Sequence, residues 1–269
     1  MSSTTSTPGE VFASRARDVL SAEERALLMQ IVPEKLPEHV AVIMDGNGRW
    51  ARERGFADRI RGHEAGITSV RTAVRACGEL HLKALTLYAF SVENWQRPRH
   101  EIAALMGLLD HFLKSEIGEL NDNNVRLVTS GRTEDLPEGV QRTLAETISS
   151  TSSNTGLVLN LALSYGGRAE ILAAVQAIAQ QVAQGAMQPH QVTEDSFSQH
   201  LNHPELGDPD LLIRTSGEMR VSNFLLWQIA YTEIHVTPVL WPDFRRSHLY
   251  TAILDFQRRE RRFGKVMPA

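Results

Sequence analysis

From residue 36 onward the chain alternates short apolar runs with longer amphipathic segments, and this alternation restricts the fold more than any other feature. Runs suited to buried strands cover 40–44, 84–90, 125–129, 157–163, 211–214 and a short 234–237, with helical candidates near 63–81, 99–120, 138–150, 167–184 and 245–260. Strands apolar on both faces and joined by amphipathic crossovers predict an α/β fold, with a mostly parallel central sheet flanked by helices. In such sheets ligands sit beyond the carboxyl ends of the strands, so a candidate site is judged by whether its residues fall there. At 269 residues and 42% hydrophobic content the chain can bury a large core, and residues 36–269 are read as a single domain. Residues 1–35 form an N-terminal extension. Its Ser/Thr/Pro/Gly-rich start, 1–8, is expected to be disordered, while Val11, Phe12, Val19, Leu20, Leu27, Leu28 and Ile31 recur at roughly helical spacing.

Charge and cysteine usage exclude several classes. A net charge of -4 argues against a nucleic-acid binder that relies on a broad basic surface, so the arginines must work locally. Cys77 is the only cysteine, which excludes a disulfide framework and a cysteine-based zinc site and points to a reducing compartment such as the cytoplasm. Its apolar helical surroundings mark it as a core residue. No run reaches the roughly 20 apolar residues of a bilayer span, and no basic-then-apolar leader opens the sequence.

The first strand candidate ends in Met44-Asp45-Gly46-Asn47-Gly48-Arg49-Trp50. A strand, a loop with two glycines and an arginine, then a helix start is the geometry of a phosphate or diphosphate seat. Gly46 and Gly48 let backbone approach an anion, and Arg49 offers a planar fork of donors. Asp45 would repel phosphate oxygens unless a divalent cation bridges them, for which Mg²⁺ is the leading candidate, or unless it handles a proton. The plainer alternative is a strand-to-helix turn in which Asp45 caps the helix.

Three more clusters follow strand candidates or open helices. Ser91-Val92-Glu93-Asn94-Trp95-Gln96-Arg97-Pro98 crowds hydroxyl, carboxylate, amide, indole and guanidinium groups just past a buried run; the plain reading is a capping Ser91 and a surface ion pair. Arg214-Thr215-Ser216-Gly217-Glu218-Met219-Arg220-Val221-Ser222-Asn223 makes a second anion cradle, against an exposed loop pairing Arg220 with Glu218. Arg59 through Gly66 opens a helix whose first turn could hold phosphate, with Arg59 and His63 as donors. Ser164-Tyr165-Gly166-Gly167-Arg168 has a similar form and is read as a structural turn.

Missing motifs narrow the chemistry further. The sequence holds no Gly-x-x-x-x-Gly-Lys-Ser/Thr, no Gly-x-Gly-x-x-Gly after the first strand, no Gly-x-Ser-x-Gly and no His-Glu-x-x-His, and its ten histidines lack metal-ligand spacing. An Asp-Asp-x-x-Asp pair is absent too. What remains is two anion seats, several arginines and a lone Asp in an apolar neighbourhood.

Asp45-Gly46-Asn47-Gly48-Arg49-Trp50, Gly62-His63, the Tyr88–Pro98 run, Ser164–Arg168, Ile213–Glu218 with Arg220 and Ser222–Leu225, and Trp241-Pro242-Asp243-Phe244 together resemble the cis-prenyltransferases. The likeness runs in unbroken order over about residues 36–265. It implies a homodimeric, Mg²⁺-dependent transferase that adds isopentenyl diphosphate to an allylic diphosphate such as farnesyl diphosphate, making each new double bond cis. The implied product is a long-chain polyprenyl diphosphate such as undecaprenyl diphosphate, a lipid-carrier precursor for cell-wall glycan synthesis. The implied setting is cytoplasmic, with transient contact at the inner membrane surface for product release.

Carried over by position, the resemblance implies that Asp45 holds Mg²⁺ and helps the allylic diphosphate leave. Gly46, Asn47, Gly48, Arg49, Arg59 and His63 would cradle that diphosphate, with Trp50 beside them. Arg214, Arg220 and Ser222, flanked by Val221, would bind isopentenyl diphosphate, and Glu233 would reach the metal from the facing side. Asn94 is the position given to proton removal, alongside Ser91, Val92, Glu93, Trp95 and Arg97. A neutral amide is a poor base, so Asn94 could instead position a diphosphate oxygen that accepts the proton.

Two departures stand out. Some relatives carry histidine where this chain has Met219, and a thioether is a poor ligand for a hard cation, so Met219 is left out of the site. The loop from Gly55 to His63 is about one residue longer than in some relatives, which bears on Arg59. For the apolar product, Ile102, Leu105, Met106, Leu108, Leu109, Phe112, Leu113 and Ile117 cover most of one helix, which is either a core helix or one wall of an apolar tunnel for the prenyl chain. Small Ala89 fits an open tunnel. The rival readings are a non-catalytic partner subunit and a phosphatase or nucleotide-binding protein with a similar anion cradle.

Overall fold

In the computed structural model, residues 8–16 and 19–259 are described. Six strands, β1 (His39–Ile43), β2 (Ala84–Ser91), β3 (Arg126–Ser130), β4 (Val158–Tyr165), β5 (Leu211–Arg214) and β6 (Glu233–Val236), form one sheet in the order β3-β4-β2-β1-β5-β6. Every pairing is parallel. Side chains of β1, β4 and β5 are buried along their whole length, as strands covered by helices on both faces must be. The order of connection reverses at β1, whose neighbours are β2 and β5, and that switch point places Asp45, the loop after Ser91 and Arg214 at one end of the sheet.

The covering helices among the described residues are α1 (Pro8–Arg15), α2 (Ala22–Leu28), α3 (Asn47–Glu53), α4 (Ile60–Glu79), α5 (Arg99–Asp122), α6 (Glu138–Thr151), α7 (Gly167–Ala183), α8 (Glu194–Ser198) and α9 (Arg246–Gln257). Strand and helix ends fall within a few residues of those read from periodicity. α4 buries Ala73, Val74, Ala76 and Cys77 against the sheet, and burial pushes the Cys77 thiol up to about 12, an inert core residue. α5 buries Met106, Phe112 and Leu113, while Ile102, Leu105 and Leu109 pack at the margin of the core.

The N-terminal extension docks on the domain. Ser21 closes a capping box with Glu24 that starts α2, and Phe12, Leu20, Leu28 and Ile31 are buried in the main core. Gln257 of α9 clips the segment by accepting from Val32 N at 3.1 Å and donating to Val32 O at 2.8 Å. The disorder expected for 1–8 falls almost wholly on residues outside the described ones. Among the described residues no helix is long and apolar enough to cross a membrane.

Candidate active site

The loop after β1 is shaped by two glycines. Gly46 sits at φ +105°, and a Cβ there would lie 2.9 Å from Leu240 Cδ2 and 3.1 Å from Ser216 Cβ. Gly62 lets the first turn of α4 abut the start of α3, since a Cβ on it would lie 1.9 Å from Asn47 O. Thr215 pins the loop from the other side: its hydroxyl accepts from Asp45 N at 2.8 Å and donates to Asp45 O at 2.6 Å. The chain therefore enters α3 with its first amides, which have no intrahelical acceptors, beside the Asp45 carboxylate.

That carboxylate is held at both oxygens. Oδ1 accepts from Gly46 N at 2.7 Å and Oδ2 from Arg214 Nη2 at 2.7 Å. Arg214, at the buried end of β5, also donates through Nη1 to Ser222 Oγ at 2.8 Å and to Arg220 O, while its buried Nε has no partner. A buried guanidinium facing a partly exposed carboxylate makes a charged pair across the ends of two strands.

Two cavities meet here. One, of about 190 Å³, is lined by Asp45, Gly46, Asn47, Gly48, Arg59, His63, Asn94 and Arg97 at its polar end and by Ile67, Val70, Ala89 and Leu105 at its apolar end. The other, of about 560 Å³, is lined by Asp45, Ser91, Glu93, Asn94, Arg97, Arg214, Arg220, Ser222 and Asn223. Met44, Asp45, Tyr88, Asn94 and Arg97 belong to both walls. A third hollow of about 280 Å³ is lined by Asp45, Gly46, Gly48, Arg49, Arg52 and Arg59. The apolar end of the first cavity is the part that corresponds to the expected apolar tunnel, and at about 190 Å³ this cavity is far too small for a long chain.

Loop residues are tied to one another. Asn94 Oδ1 accepts from Ser91 N at 3.2 Å, which leaves its N–H donors for a ligand. Arg97 Nη1 donates to the buried Glu101 at 3.0 Å; burial pulls this guanidinium below its ordinary value and the Glu101 charge opposes the shift. Glu93 accepts from Asn223 Nδ2 at 2.8 Å, and Asn223 Oδ1 accepts from Arg168 N at 2.9 Å, so the Ser164–Arg168 turn braces both site loops. Arg49 donates to Ser216 O and to Glu218 at 2.9 Å, and Arg220 donates to the other oxygen of Glu218 at 2.5 Å. The Arg220–Glu218 pair expected of a plain loop thus coexists with Arg220 lining the second cavity. His63 is driven down to about 4, first by burial and then by the Arg97 and Arg59 charges, so its imidazole is neutral at pH 7.

Four sequence candidates do scaffolding work instead of lining a cavity. Trp50 donates to Asp243 at 2.9 Å, stacks on Phe56 and lies under Arg54. Trp95 donates to Ser164 Oγ at 2.9 Å and packs edge-on to Phe90. Val92 touches Gly166, and Val221 packs against the cluster around Ile43 and Phe224. Apolar bulk beside a polar loop is spent on holding that loop, which spacing alone did not separate from contact with a ligand.

Glu233 lies apart from the other candidates within this chain. The register sets it opposite Leu211, three residues before Arg214 and so about 10 Å back along the strand, where it accepts from Arg259 at 2.8 Å. One chain does not bring it to Asp45. Met219, left out of the site, is 88% exposed. Glu101 was not singled out, and Tyr88 reads as one more apolar strand residue, yet its ring stacks on Phe224 at 4.4 Å and its hydroxyl reaches Tyr165 O at 3.3 Å.

A lone carboxylate suits Mg²⁺, which commonly takes one or two protein carboxylates and completes its shell with water and substrate phosphate oxygens. Among the described residues no group of three His, Cys, Asp or Glu side chains could hold a metal by itself. The donor set at Asp45 therefore fits a cation that is shared with a diphosphate.

The sequence model described as putative undecaprenyl diphosphate synthase matches residues 43–264. An isoprenyl transferase of Heliobacterium mobile is 52% identical over 246 residues, covering 91% of this chain and 94% of its own. A ditrans,polycis-undecaprenyl-diphosphate synthase of Vibrio vulnificus, described as (2E,6E)-farnesyl-diphosphate specific, is 49% identical over 87% of this chain and 93% of its own. Among solved structures, lavandulyl diphosphate synthase from Lavandula x intermedia in complex with dimethylallyl diphosphate superposes with a TM-score of 0.82 at 36% identity, covering 86% of this chain and 100% of its own. A probable undecaprenyl diphosphate synthase from Campylobacter jejuni gives a TM-score of 0.71 at 33% identity, covering 85% and 99%. A parallel sheet whose switch point gathers two arginine-lined cavities around one carboxylate, in a chain this similar to these proteins, belongs to the undecaprenyl diphosphate synthase family of prenyltransferases.

Proposed function

We propose that this chain extends farnesyl diphosphate with isopentenyl diphosphate to a long-chain cis-polyprenyl diphosphate of the undecaprenyl class, which would serve as a lipid-carrier precursor. The observation that carries the reading is the shared wall: Asp45, Asn94 and Arg97 line both cavities, so two diphosphates bound there are immediate neighbours. Gly46, Asn47, Gly48, Arg59 and His63 take the allylic diphosphate, with Arg49 beside them, and Arg214, Arg220, Ser222 and Ser91 take isopentenyl diphosphate. The polyanions repel one another, and guanidinium groups around Asp45 offset that repulsion.

The allylic carbon–oxygen bond breaks with its electron pair leaving on the diphosphate, the isopentenyl double bond supplies the new carbon–carbon bond, and one proton is lost from the isopentenyl unit. Arg59 and Arg97, which line the first cavity, would offer donors to the negative charge that grows as the diphosphate departs, and would so stabilise the transition state more than the ground state. Asn94, whose amide oxygen is already committed to Ser91, positions a diphosphate oxygen through its N–H groups, and that oxygen takes the proton. Asp45, together with substrate oxygens, would hold Mg²⁺, which when bound would supply charge neutralisation at the leaving group.

The active unit is proposed to be a homodimer. β6 is an edge strand, and Tyr231 and Ile234 beside it are 73% and 43% exposed. Product release would bring the enzyme transiently to a membrane surface from the cytoplasm.

Incubation with farnesyl diphosphate, radiolabelled isopentenyl diphosphate and Mg²⁺, with an EDTA control, tests the reading. Mg²⁺-dependent, chain-extended products support it. Phosphate release without elongation would make the chain a hydrolase, and neither outcome would make it a binding subunit.

A further inference from the structure

Among the described residues, the loop after β5 holds four of the eight non-glycine positions with positive φ: Ser216 at +74°, Ser222 at +46°, Asn223 at +62° and Leu225 at +45°. Left-handed backbone is disfavoured for residues with a Cβ, and adjacent residues keep it only where their surroundings over-determine it. Asparagine tolerates it better than serine or leucine do. Ser222 and Asn223, side by side in that conformation, sit on the wall of the second cavity.

Asn223 is bonded at three points. Its backbone O accepts from Gly167 N at 2.7 Å, its Oδ1 accepts from Arg168 N at 2.9 Å, and its Nδ2 donates to Glu93 Oε1 at 2.8 Å. A Cβ on Gly166 would lie 2.7 Å from Asn223 Nδ2, so the amide is walled in as well as bonded. On its far side Phe224 and Leu225 are buried, and Phe224 stacks on Tyr88. On its near side Ser222 Oγ accepts from Arg214 Nη1 at 2.8 Å, and Arg214 Nη1 also donates to Arg220 O. Arg220 and Ser222 are themselves exposed, so the core does not fix them directly. Asn223 stands between the part of the loop the core holds and the part that faces the cavity.

We propose that Asn223 is a positioning residue for the second diphosphate seat: by tying the Glu93 loop to the start of α7 it holds the left-handed backbone that sets Ser222 and Arg220 in that cavity. The inference deepens the elongation reading above and rests on it. Asn223 acts through its neighbours and not on a reacting atom. Glu93, Arg220, Ser222 and Asn223 all line the second cavity and none lines the first, so loosening the loop falls on one substrate.

The test is steady-state kinetics of the full-length protein with farnesyl diphosphate, isopentenyl diphosphate and Mg²⁺. Asn223→Asp keeps an acceptor for Arg168 N and sets a second carboxylate against Glu93. It should raise the KM for isopentenyl diphosphate at least about 10-fold and change the KM for farnesyl diphosphate by no more than about 2-fold, with kcat altered less than the first KM. Adding Glu93→Gln to it lets the new amide donate to the new carboxylate, re-forming the bond with donor and acceptor exchanged. The KM for isopentenyl diphosphate should then return to within about 3-fold of Glu93→Gln alone. Asn223→Gly keeps the backbone freedom and loses both side-chain bonds; it too should raise the KM for isopentenyl diphosphate alone, and it decides the matter if the aspartate variant does not fold. Unchanged constants, a rise in both KM values together, or effects of Asn223→Asp and Glu93→Gln that simply add would overturn the assignment while leaving the elongation reading intact. If the unmodified enzyme makes no extended product, the elongation reading itself has failed.

Discussion

Arg214 Nη2 lies 2.7 Å from Asp45 Oδ2, so the arginine assigned to one diphosphate seat neutralises the carboxylate assigned to the other. The pair joins the ends of β1 and β5, which the register places side by side at Ile43 and Arg214. A buried guanidinium at the end of an apolar strand is expensive unless paired, and here its partner is the residue that a cation would share.

Replacing Arg214 by Lys keeps the charge and loses the planar fork that bonds Asp45 and Ser222 at once. The KM for isopentenyl diphosphate should rise at least about 10-fold, with a further fall in kcat, because one or two charge-assisted bonds are worth about 1.5–3 kcal/mol each. Steady-state kinetics at saturating farnesyl diphosphate checks this; unchanged constants would remove Arg214 from the seat.

Glu101 holds Arg97 at 3.0 Å from within α5 and touches neither cavity. Glu101→Gln should therefore raise the KM of both substrates by a few-fold up to about 10-fold while the fold survives, since a positioned donor is loosened and no reacting group is lost. An effect confined to melting temperature would mark Glu101 as merely structural.

His39 and His63 are both held down to about 4, chiefly by burial, and so fold as neutral imidazoles. The unfolded chain, with histidines near 6.5, binds more protons between pH 6.5 and 4. Stability contributed by keeping these rings neutral is therefore present above pH 6.5 and declines as pH falls toward 4. For His39, packed between Gly207 O and Thr86 Oγ1, the loss by pH 4 is on the order of 3 kcal/mol. Melting temperatures of His39→Gln should vary less steeply than wild type over that range, and parallel curves would refute the assignment.

Ala89 is the small residue on the wall of the first cavity at the register shift of β2 between Tyr88 and Phe90. Ala89→Leu should fill the entrance to the apolar corner and shorten the products on radiolabelled thin-layer analysis, without loss of the first condensation. Unaltered lengths would take Ala89 out of the chain path.

The sheet was legible because fully buried strands and their crossovers leave a periodic trace in every residue, and Asp45, Asn94 and Arg214 were legible because polar groups at strand ends stand out against it. What Trp50 and Trp95 hold was not legible: an aromatic that braces a loop and one that faces a substrate have the same sequence neighbours, and only three-dimensional packing shows that their indoles donate to Asp243 and Ser164. Glu233 is set by register at the start of β6, three residues back from the level of Arg214, so within one chain it stands about 10 Å along the strand from that end of the sheet.

The amino-acid order by itself determined the α/β class, the strand-end placement of the charged loops and the scarcity of metal ligands, all of which follow from local pattern and residue chemistry. Tertiary structure alone decided that Asp45 and Arg214 touch across 169 positions, that Asn94 and Arg97 serve two cavities, and that Arg71 and Arg75 meet Glu116 and Glu119. Contacts between distant segments are fixed by which strands pair and how helices pack over them, and those choices are made by the whole core at once.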